Sequence, residues 1–223
     1  MSAEIQTRQA TMAGSPRTGR SRARSGRELV LQHAARLFRE KGYSGTSIRD
    51  IAKRVRMEPS AIYYHFASKD ALLEEVLERC MDNLLAEVRD SLATLPADAS
   101  SRERFRVAVA AHLRAIRQHG DFTLASRRVL GEVPLQIQRK HESLRESYGD
   151  HWAALFQHGA QSGEVRETAQ LGLARMFLLG ALNWTSEWYD DERKSPDQLA
   201  EVFCEFLFDG IGMQRRSAGK RLQ

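Results

Sequence analysis

Apolar side chains recur at steps of three and four residues along most of the chain, and this spacing constrains the fold more than any other feature. In residues 68 to about 93, for example, Leu73, Leu77 and Leu84 fall on one helical face. No segment alternates between apolar and polar residues with the period of two that a half-buried strand requires. We therefore predict an all-α protein without a β-sheet.

Local signals predict where several helices begin and end. Capping boxes, in which a Ser is followed three residues later by an acidic or amide side chain, open helices at Ser25, Ser47 and Ser195. Gly42 is typical of a helix end, and Ser68 is predicted to cap a long helix that stops before Pro96. The remaining helices are expected at residues 59 to about 65, about 105 to 119, 121 to 131, 134 to 161, 166 to 189 and from 196 onward.

The charge is concentrated at the N-terminus. Residues 1–69 contain 14 Lys and Arg against 5 Asp and Glu, whereas residues 70–223 contain 20 against 24, in a chain whose formal net charge is +5. A basic N-terminal part on a mildly acidic body is typical of a protein that meets a polyanion such as DNA. The alternative is a basic tail that serves only solubility.

Several other classes of protein are disfavoured. No apolar run approaches the roughly 20 residues that cross a bilayer, and the polar N-terminus does not resemble a signal peptide, so we expect a cytoplasmic protein without a membrane partner. Two distant cysteines, Cys80 and Cys204, argue against a disulfide framework or a Cys-based zinc site. Phosphate-binding and nucleophile motifs are absent, and we expect neither a cofactor nor a metal. Two histidine pairs are spaced seven apart, too far to share a metal ion: His112 with His119, and His151 with His158.

The stretch SIRDIAKRVRMEPSAIYYHF, residues 47–66, predicts two short helices joined by about three residues, a helix-turn-helix candidate. Ala52 is small enough for two helices to cross closely. The second helix carries small, hydroxyl-bearing and aromatic side chains that suit phosphates and base edges better than a core. The alternative is a helical hairpin with core aromatics, and we expect either Tyr63 or Tyr64 to be partly buried because adjacent residues do not share one face.

Residues 42–77, GYSGTSIRDIAKRVRMEPSAIYYHFASKDALLEEVL, resemble the DNA-binding domain of TetR/AcrR-type transcriptional repressors. The resemblance is carried by Gly-x-x-x-Thr, Ile-Ala, Tyr-x-His-Phe and Ser-Lys-x-x-Leu. It implies an N-terminal three-helix helix-turn-helix domain joined to a larger helical domain for ligand binding and dimerisation. It also implies that Ser47 and Arg49 lie against DNA and that Lys69 anchors the DNA backbone. The recognition helix would contribute Pro59, Ser60 and Ala61 toward base edges, Tyr63 and His65 toward phosphates, and the neighbouring Tyr64.

The chain departs from the family pattern at two places. The turn usually has an Ala-Gly pair where this chain has Val55 and Arg56, and the residue before Pro59 is often Ser or Asp where this chain has Glu58. We expect Arg56 either to strain the turn slightly or to reach a phosphate.

The resemblance and the composition divide the chain into four parts. We expect a disordered basic arm at residues 1–24, the DNA-binding domain at 25–70, the ligand-binding and dimerisation domain at 71–215, and a flexible tail at 216–223.

The helix LGLARMFLLGALNWTSEWYD is apolar on more than one side, which predicts partners on both sides. It is either a core helix of one subunit or, as the resemblance implies, part of a homodimer formed through the last two long helices. Phe203 and Phe206 are predicted to lie on the dimer-forming stripe of the final helix.

Aromatic residues of the body are candidates for an apolar effector site, although each could equally fill the core. The candidate set is Phe105, Trp152, Phe156, Phe177 and Trp184. Arg127, Arg128 and Arg175 are candidates for binding a phosphate-bearing ligand. The segment from residue 180 to 200 resembles family members that respond to fatty-acyl or related coenzyme A thioesters.

The function expected from these features is a ligand-responsive regulator, not an enzyme. It would bind a palindromic double-stranded operator as a dimer, repress transcription, and leave the DNA when a small apolar effector, such as an acyl-CoA, binds. The long helix at residues 68 to about 93 would be the lever between the two sites. The alternative is an all-α ligand-binding protein or enzyme with an incidental basic N-terminal tail.

Overall fold

The computed structural model describes residues 17–166, 170–190 and 192–211, with side chains described from Gly26 to Phe208 within those ranges. These residues form nine α-helices, which confirms the predicted all-α class. The helices are α1 (Arg17–Lys41), α2 (Ile48–Val55), α3 (Pro59–His65), α4 (Lys69–Leu92), α5 (Ser101–Gln118), α6 (Gly120–Val129), α7 (Leu135–Gln161), α8 (Leu171–Trp188) and α9 (Pro196–Ile211).

The first helix begins earlier than the sequence predicts. It starts at Arg17, so Ser25 lies inside α1 and the predicted capping box with Glu28 is wrong as a helix start. Glu28 instead accepts a hydrogen bond from Arg79 of α4 at 3.0 Å. The last eight residues of the predicted disordered arm are therefore helical, while residues 1–16 lie outside the described residues. The predicted end at Gly42 is confirmed by its positive φ of 74°.

The helix-turn-helix forms where the sequence predicts it. Ser47 caps α2 by accepting from the backbone N–H of Asp50 at 3.1 Å, and the Asp50 carboxylate accepts from the Ser47 backbone N–H at 3.0 Å. The hydrogen bond that the Ser47 hydroxyl donates to the Asp50 carboxylate, followed by that of the Ser47 backbone N–H, holds the pKa of Asp50 below its usual value. Ile51 and Ile62 are fully buried and join α2 and α3 to the core.

The turn between α2 and α3 is closed by Arg56 in the left-handed conformation, with φ 57° and ψ 44°. It is the one non-glycine residue with positive φ in the described part of the chain. A left-handed conformation costs an L-residue roughly 1–2 kcal/mol relative to the right-handed helix, so the strain expected at this departure from the family pattern is present. The second departure, Glu58, is the N-cap of α3 and makes no side-chain capping hydrogen bond.

α4 joins the helix-turn-helix to the body. Ser68 caps it by accepting from the Ala71 N–H at 3.0 Å, and the helix then packs against α1, α5, α6 and α7. A continuous buried core runs from Val30 of α1, through Leu77 of α4, to Cys204 of α9. The two parts of the chain therefore share one hydrophobic core, and a displacement of α4 or α6 in the body reaches α1 directly.

α8 and α9 both pack on α5. The predicted capping box of α9 is confirmed, because the Ser195 N–H donates to the Gln198 side chain at 2.8 Å and the Gln198 N–H donates to Ser195 Oγ at 3.2 Å. The predicted flexible tail at 216–223 and residues 212–215 before it lie outside the described residues.

Candidate DNA-binding face and effector cavity

The exposed face of α3 carries most of the residues predicted to contact DNA. Ile62 holds the helix to the core, while Ser60 is exposed and Tyr63 and Tyr64 are 54% and 81% exposed. The expectation that one of the two tyrosines is partly core is wrong. A helix of two turns that is anchored mainly through Ile62 leaves both rings outside the core, and the Tyr64 ring instead packs edge-on against His65, with centroids 5.1 Å apart.

The other predicted α3 residues, Pro59, Ala61 and His65, are half-buried. Pro59 occupies the first helical position, where its missing N–H is not needed. The helix therefore presents short side chains at its beginning and rings along its length. This arrangement lets the backbone approach a groove closely while hydroxyl groups reach phosphates and base edges.

α2 adds positive charge beside α3. Arg49, Lys53 and Arg56 are exposed and form no ion pair with the described residues, whereas Arg54 pairs with Glu40 at 3.0 Å. The Ser47 hydroxyl, predicted to face DNA, donates to the Asp50 carboxylate at 2.6 Å. Because the Ser47 backbone N–H also donates to this carboxylate at 3.0 Å, Ser47 can donate to a phosphate only if one of these two hydrogen bonds breaks.

Lys69 holds the protein's own backbone. Its ammonium group donates to the carbonyl oxygens of Tyr43 and Thr46, each at 3.1 Å. An ammonium group has three donors, so one donor is left for a phosphate. Lys69, predicted to anchor the DNA backbone, therefore holds the loop between α1 and α2 in place and can still donate one hydrogen bond to a DNA phosphate.

The five aromatics predicted to bind an effector are not gathered around one cavity. Phe105, Trp152 and Phe156 are fully buried core residues, and the Phe105 and Phe156 rings pack edge-to-face at 4.7 Å. Phe177 and Trp184 are 77% and 56% exposed on α8. The role of these residues in effector binding stays a prediction, and in this conformation other side chains line the available space.

That space is a cavity between α4, α6, α7 and α8. Its two adjoining parts have volumes of about 390 Å³ and 290 Å³. They share a wall formed by Met81, Leu84, Arg145 and Asn183. Arg175, one of the predicted phosphate-binding candidates, lines the larger part, and Arg127 lines the smaller part. Arg128 lines neither.

Two buried histidines are associated with the cavity. His141 lines its smaller part, and His112 lies behind the lining residues Tyr148 and Asn183. Burial lowers the pKa of His112 to about 4, against the opposing effect of neighbouring Asn183. Burial and the positive charge of Arg145 lower the pKa of His141 to about 4. Both imidazoles are therefore neutral at pH 7. Their hydrogen-bonding partners are hydroxyl groups: Tyr148 Oη lies 2.7 Å from His112 Nδ1, and Ser126 Oγ lies 2.9 Å from His141 Nε2.

The sequence prediction missed His141, Asn183 and Ser126 because their convergence depends on three different helices. One signal was present. Residues 137, 141, 144 and 148 follow the spacing of the buried stripe of α7, and a histidine on such a stripe is a polar group that needs a buried partner.

α6 connects the cavity to the DNA-binding part. It contributes Ser126 to the cavity wall and packs along α1. Directly after α6, the Glu132 carboxylate accepts from the Ser44 N–H at 3.1 Å, and at its beginning Asp121 pairs with Arg39 at 2.6 Å. A ligand that moves α6 would therefore displace the loop that precedes α2.

A third surface lies on α8 and α9. Leu173, Phe177, Trp184 and Trp188 follow one face of α8 and are between 49% and 77% exposed. On α9, Phe206 is 78% exposed. Exposed aromatic residues clustered on two helices are typical of a protein interface.

Residues 30–76 match the family described as bacterial regulatory proteins, tetR family, and residues 98–211 match the tetracyclin repressor-like, C-terminal domain. The chain belongs to the TetR family. It is therefore a DNA-binding transcriptional regulator and not an enzyme, which removes the enzyme alternative considered above.

Curated relatives of this TetR-family chain include a transcriptional repressor and a regulator of fatty acid metabolism. The chain is 26% identical over 191 residues to the HTH-type transcriptional repressor KstR2 of Rhodococcus jostii, covering 84% of this chain and 92% of that protein. It is 21% identical over 184 residues to the fatty acid metabolism regulator protein of Bacillus subtilis, covering 82% and 93%.

Solved structures share the fold over most of the chain. The TetR-family regulator PfmR from Thermus thermophilus matches with a TM-score of 0.71 at 26% identity, covering 81% of this chain and 97% of that one. AibR, solved in complex with isovaleryl coenzyme A and operator DNA, matches with a TM-score of 0.68 at 23% identity, covering 82% and 98%.

In residues 17–166, 170–190 and 192–211, no helix is both long and apolar enough to cross a bilayer. The same part of the chain contains no group of three or more His, Cys, Asp or Glu side chains that could hold a metal ion.

Proposed function

We propose that this TetR-family regulator is a cytoplasmic repressor that binds a palindromic operator as a homodimer. The observation that carries the DNA-binding part is the α3 face, on which Ser60, Tyr63 and Tyr64 are exposed while Ile62 alone is fully buried. Arg49 and Lys53 of α2, which are exposed and form no ion pair with the described residues, lie on the same short motif. Phosphate contacts from these groups would position α3 in the major groove, where its first residues read base edges.

Dimerisation through α8 and α9 is supported by their exposed aromatic residues. Phe177, Trp184 and Phe206 each leave more than half of their surface accessible, and burial of such rings is a main source of interface stability. Gly180 and Ala181 are also exposed on α8, which allows a second helix to approach closely at that point. A two-fold dimer would place the two α3 helices about 34–36 Å apart, in successive major grooves.

The effector is proposed to occupy the cavity between α4, α6, α7 and α8. Met81, Leu84 and Leu179 give it apolar walls, and Arg145 and Arg175 supply positive charge beside those walls. An apolar chain with a phosphate-bearing end, such as a fatty-acyl or related CoA thioester, matches this combination. AibR, whose structure contains isovaleryl coenzyme A, shares the fold.

Release from the operator would follow from displacement of α4 and α6. The cavity uses Met81 of α4 and Ser126 of α6, and both helices pack on α1 of the DNA-binding part. A ligand shifts this equilibrium only if it binds the released conformation more tightly than the operator-bound one. The Glu132–Ser44 hydrogen bond is the contact through which α6 would move the loop before α2.

Selection of bound duplexes from a random pool tests the regulator as a whole. We expect enriched sequences with two inverted half-sites whose centres are one helical turn apart, and a protein that sediments as a dimer in the absence of DNA. Enrichment of single, unpaired half-sites by a monomeric protein would refute the dimeric operator model.

A further inference from the structure

We propose that the smaller part of the effector cavity recognises an uncharged oxygen, either a hydroxyl or a ketone carbonyl, carried on an apolar chain. This inference rests on the proposed effector cavity and specifies the chemistry of the ligand that it takes. The part concerned is the 290 Å³ portion lined by His141, Ser126, Thr123 and Cys80.

His141 has the unpaired buried nitrogen on which this inference rests. Its side chain is 2% exposed and lines the cavity, and its Nε2 lies 2.9 Å from Ser126 Oγ. Its Nδ1 is buried and has no hydrogen-bonding partner among the described residues. Buried polar atoms in native proteins are nearly always paired, and those that are not usually serve a function or await a partner.

A second buried imidazole, that of His112, lies behind the cavity wall. The hydroxyl group of Tyr148 occupies its Nδ1 at 2.7 Å. Its Nε2 faces the side chain of Asn183, which lines both parts of the cavity and acts on the pKa of His112 as a hydrogen-bonding group, although no hydrogen bond of good geometry is formed. His141 Nδ1 is therefore the unpaired nitrogen that belongs to a residue of the cavity wall.

The chemistry of these groups selects the ligand. A neutral imidazole has one donor and one acceptor nitrogen, and the Ser126 hydroxyl can take either role. His141 Nδ1 can therefore donate to a ketone or accept from a hydroxyl, depending on the tautomer. Thr123 and Cys80 on the same wall are uncharged, and Cys80 Sγ lies 3.9 Å from Thr123 Oγ1. A carboxylate placed among these groups would lose its water without gaining a buried positive partner.

The charged end of the ligand has a different place. Arg127 and Arg145 line the same part of the cavity, but both side chains are exposed. Arg175 lines the larger part and lies 3.8 Å from the exposed Asp150. The smaller part therefore has exposed arginines on one side and a wall of uncharged polar groups on the other. An amphipathic ligand would be oriented with its charged end toward the arginines and its oxygenated carbon toward His141.

Four six-carbon probes test this inference on the full-length protein at pH 7.5: hexan-1-ol, hexan-2-one, hexanoate and n-hexane. We expect the alcohol and the ketone to bind at least about tenfold more tightly than hexane and hexanoate, which is the preference that one good hydrogen bond supplies. Histidine-selective ¹⁵N NMR should show a shift of the His141 nitrogens with the alcohol and the ketone, and none with hexane.

Two variants test whether His141 is the residue that causes the preference for the alcohol over hexane. His141→Leu should bind hexane as well as the unaltered protein does but lose the preference for the alcohol, whereas the control His151→Leu, exposed on the same helix, should retain it. If His141→Leu does not fold, the NMR shifts of the unaltered protein decide. Equal affinity for hexanol and hexane, failure of hexanol to bind up to its solubility, or tighter His141-dependent binding of hexanoate would each overturn the inference.

The proposed function can be separated from this outcome. Release of the operator by an acyl-CoA without any preference for oxygenated chains would leave the function standing and refute the inference. If no acyl-CoA releases the protein from DNA but hexanol shows a His141-dependent preference, the inference stands and the proposed acyl-CoA response is refuted.

Discussion

The ammonium group of Lys69 lies 3.9 Å from the centre of the Tyr43 ring and donates to the Tyr43 carbonyl oxygen at 3.1 Å. The Tyr43 hydroxyl in turn donates to Asp70. Burial, followed by the neighbouring Asp70, raises the pKa of Tyr43 to about 12, so it remains a donor at every physiological pH. The start of α4 is thereby tied to the loop between α1 and α2, and the geometry of the helix-turn-helix depends on this tie.

Lys69→Ala should therefore act on stability as well as on DNA. Loss of two charged hydrogen bonds and the cation–π contact should lower the free energy of unfolding by about 2 kcal/mol, measured by urea denaturation. Affinity for specific and nonspecific DNA should fall alike, since a phosphate contact carries no sequence information. Lys53→Ala, which removes an exposed lysine without an ion pair, is the control. It should weaken DNA binding and leave the urea midpoint unchanged.

Two substitutions on α3 should separate positioning from sequence reading. Tyr63→Phe removes an exposed hydroxyl predicted to bind phosphate, and should weaken binding to all sequences by a similar factor. Ser60→Ala should change base preference by about 1–3 kcal/mol per affected base pair. Binding of each variant to a panel of single-base operator variants distinguishes these effects. Identical profiles for the two variants would show that the assignment of base-facing and phosphate-facing residues is wrong.

Phe206→Asp should dissociate the dimer without unfolding the subunit. Phe206 is 78% exposed in the single chain, so the carboxylate is solvated in the monomer but would be buried without a partner in the dimer. Sedimentation equilibrium should show a monomer with unchanged helical content. Leu135→Asp is the matched control, an exposed apolar residue on α7 and not on α8 or α9, and it should remain dimeric. A dimeric Phe206→Asp protein would place this residue outside the interface.

Acid should destabilise the protein through its two buried histidines. The pKa values of His112 and His141 lie near 4 in the folded protein, below the ordinary value of 6.5. Between these values the unfolded chain binds more protons, so the free energy of unfolding falls as the pH falls from 6.5 toward 4, by up to about 1.4 kcal/mol per pH unit for each histidine. Urea denaturation at pH 7, 6 and 5 should show this slope. His141→Gln should reduce it.

The helix-turn-helix could be predicted from sequence because its signals are local. Ser47 with Asp50, and Ser68, each fix a helix start through hydrogen bonds within three residues, whereas Pro59 favours a helix start through its fixed φ at the first helical position. The same kind of signal failed at Ser25, where α1 continues back to Arg17. A capping box favours a helix start but does not prevent a helix from continuing through a serine, which is tolerated inside helices.

The cavity could not be predicted in this way. The aromatic residues predicted to bind an effector do not share one surface: Trp152 and Phe156 fill the core, while Phe177 is exposed. The cavity wall is made by residues from four helices, and side chains such as Arg145 and Asn183 converge only once those helices pack. The apolar pattern of a single helix predicts which face is buried, but it does not predict where that face and the neighbouring helices enclose a cavity.

Fluorescence anisotropy of a labelled operator, titrated with acyl-CoA thioesters of increasing chain length, tests the central claim most directly. The account predicts salt-sensitive binding of the dimer in the absence of ligand, weakened by orders of magnitude, roughly 10³-fold, between low and moderate salt. It also predicts release of the operator by at least one long-chain member of the series, with Arg175→Ala requiring more ligand for the same release. Operator affinity that no member of the series changes would contradict the account of the effector, and binding that does not depend on salt would contradict the account of the DNA-binding face.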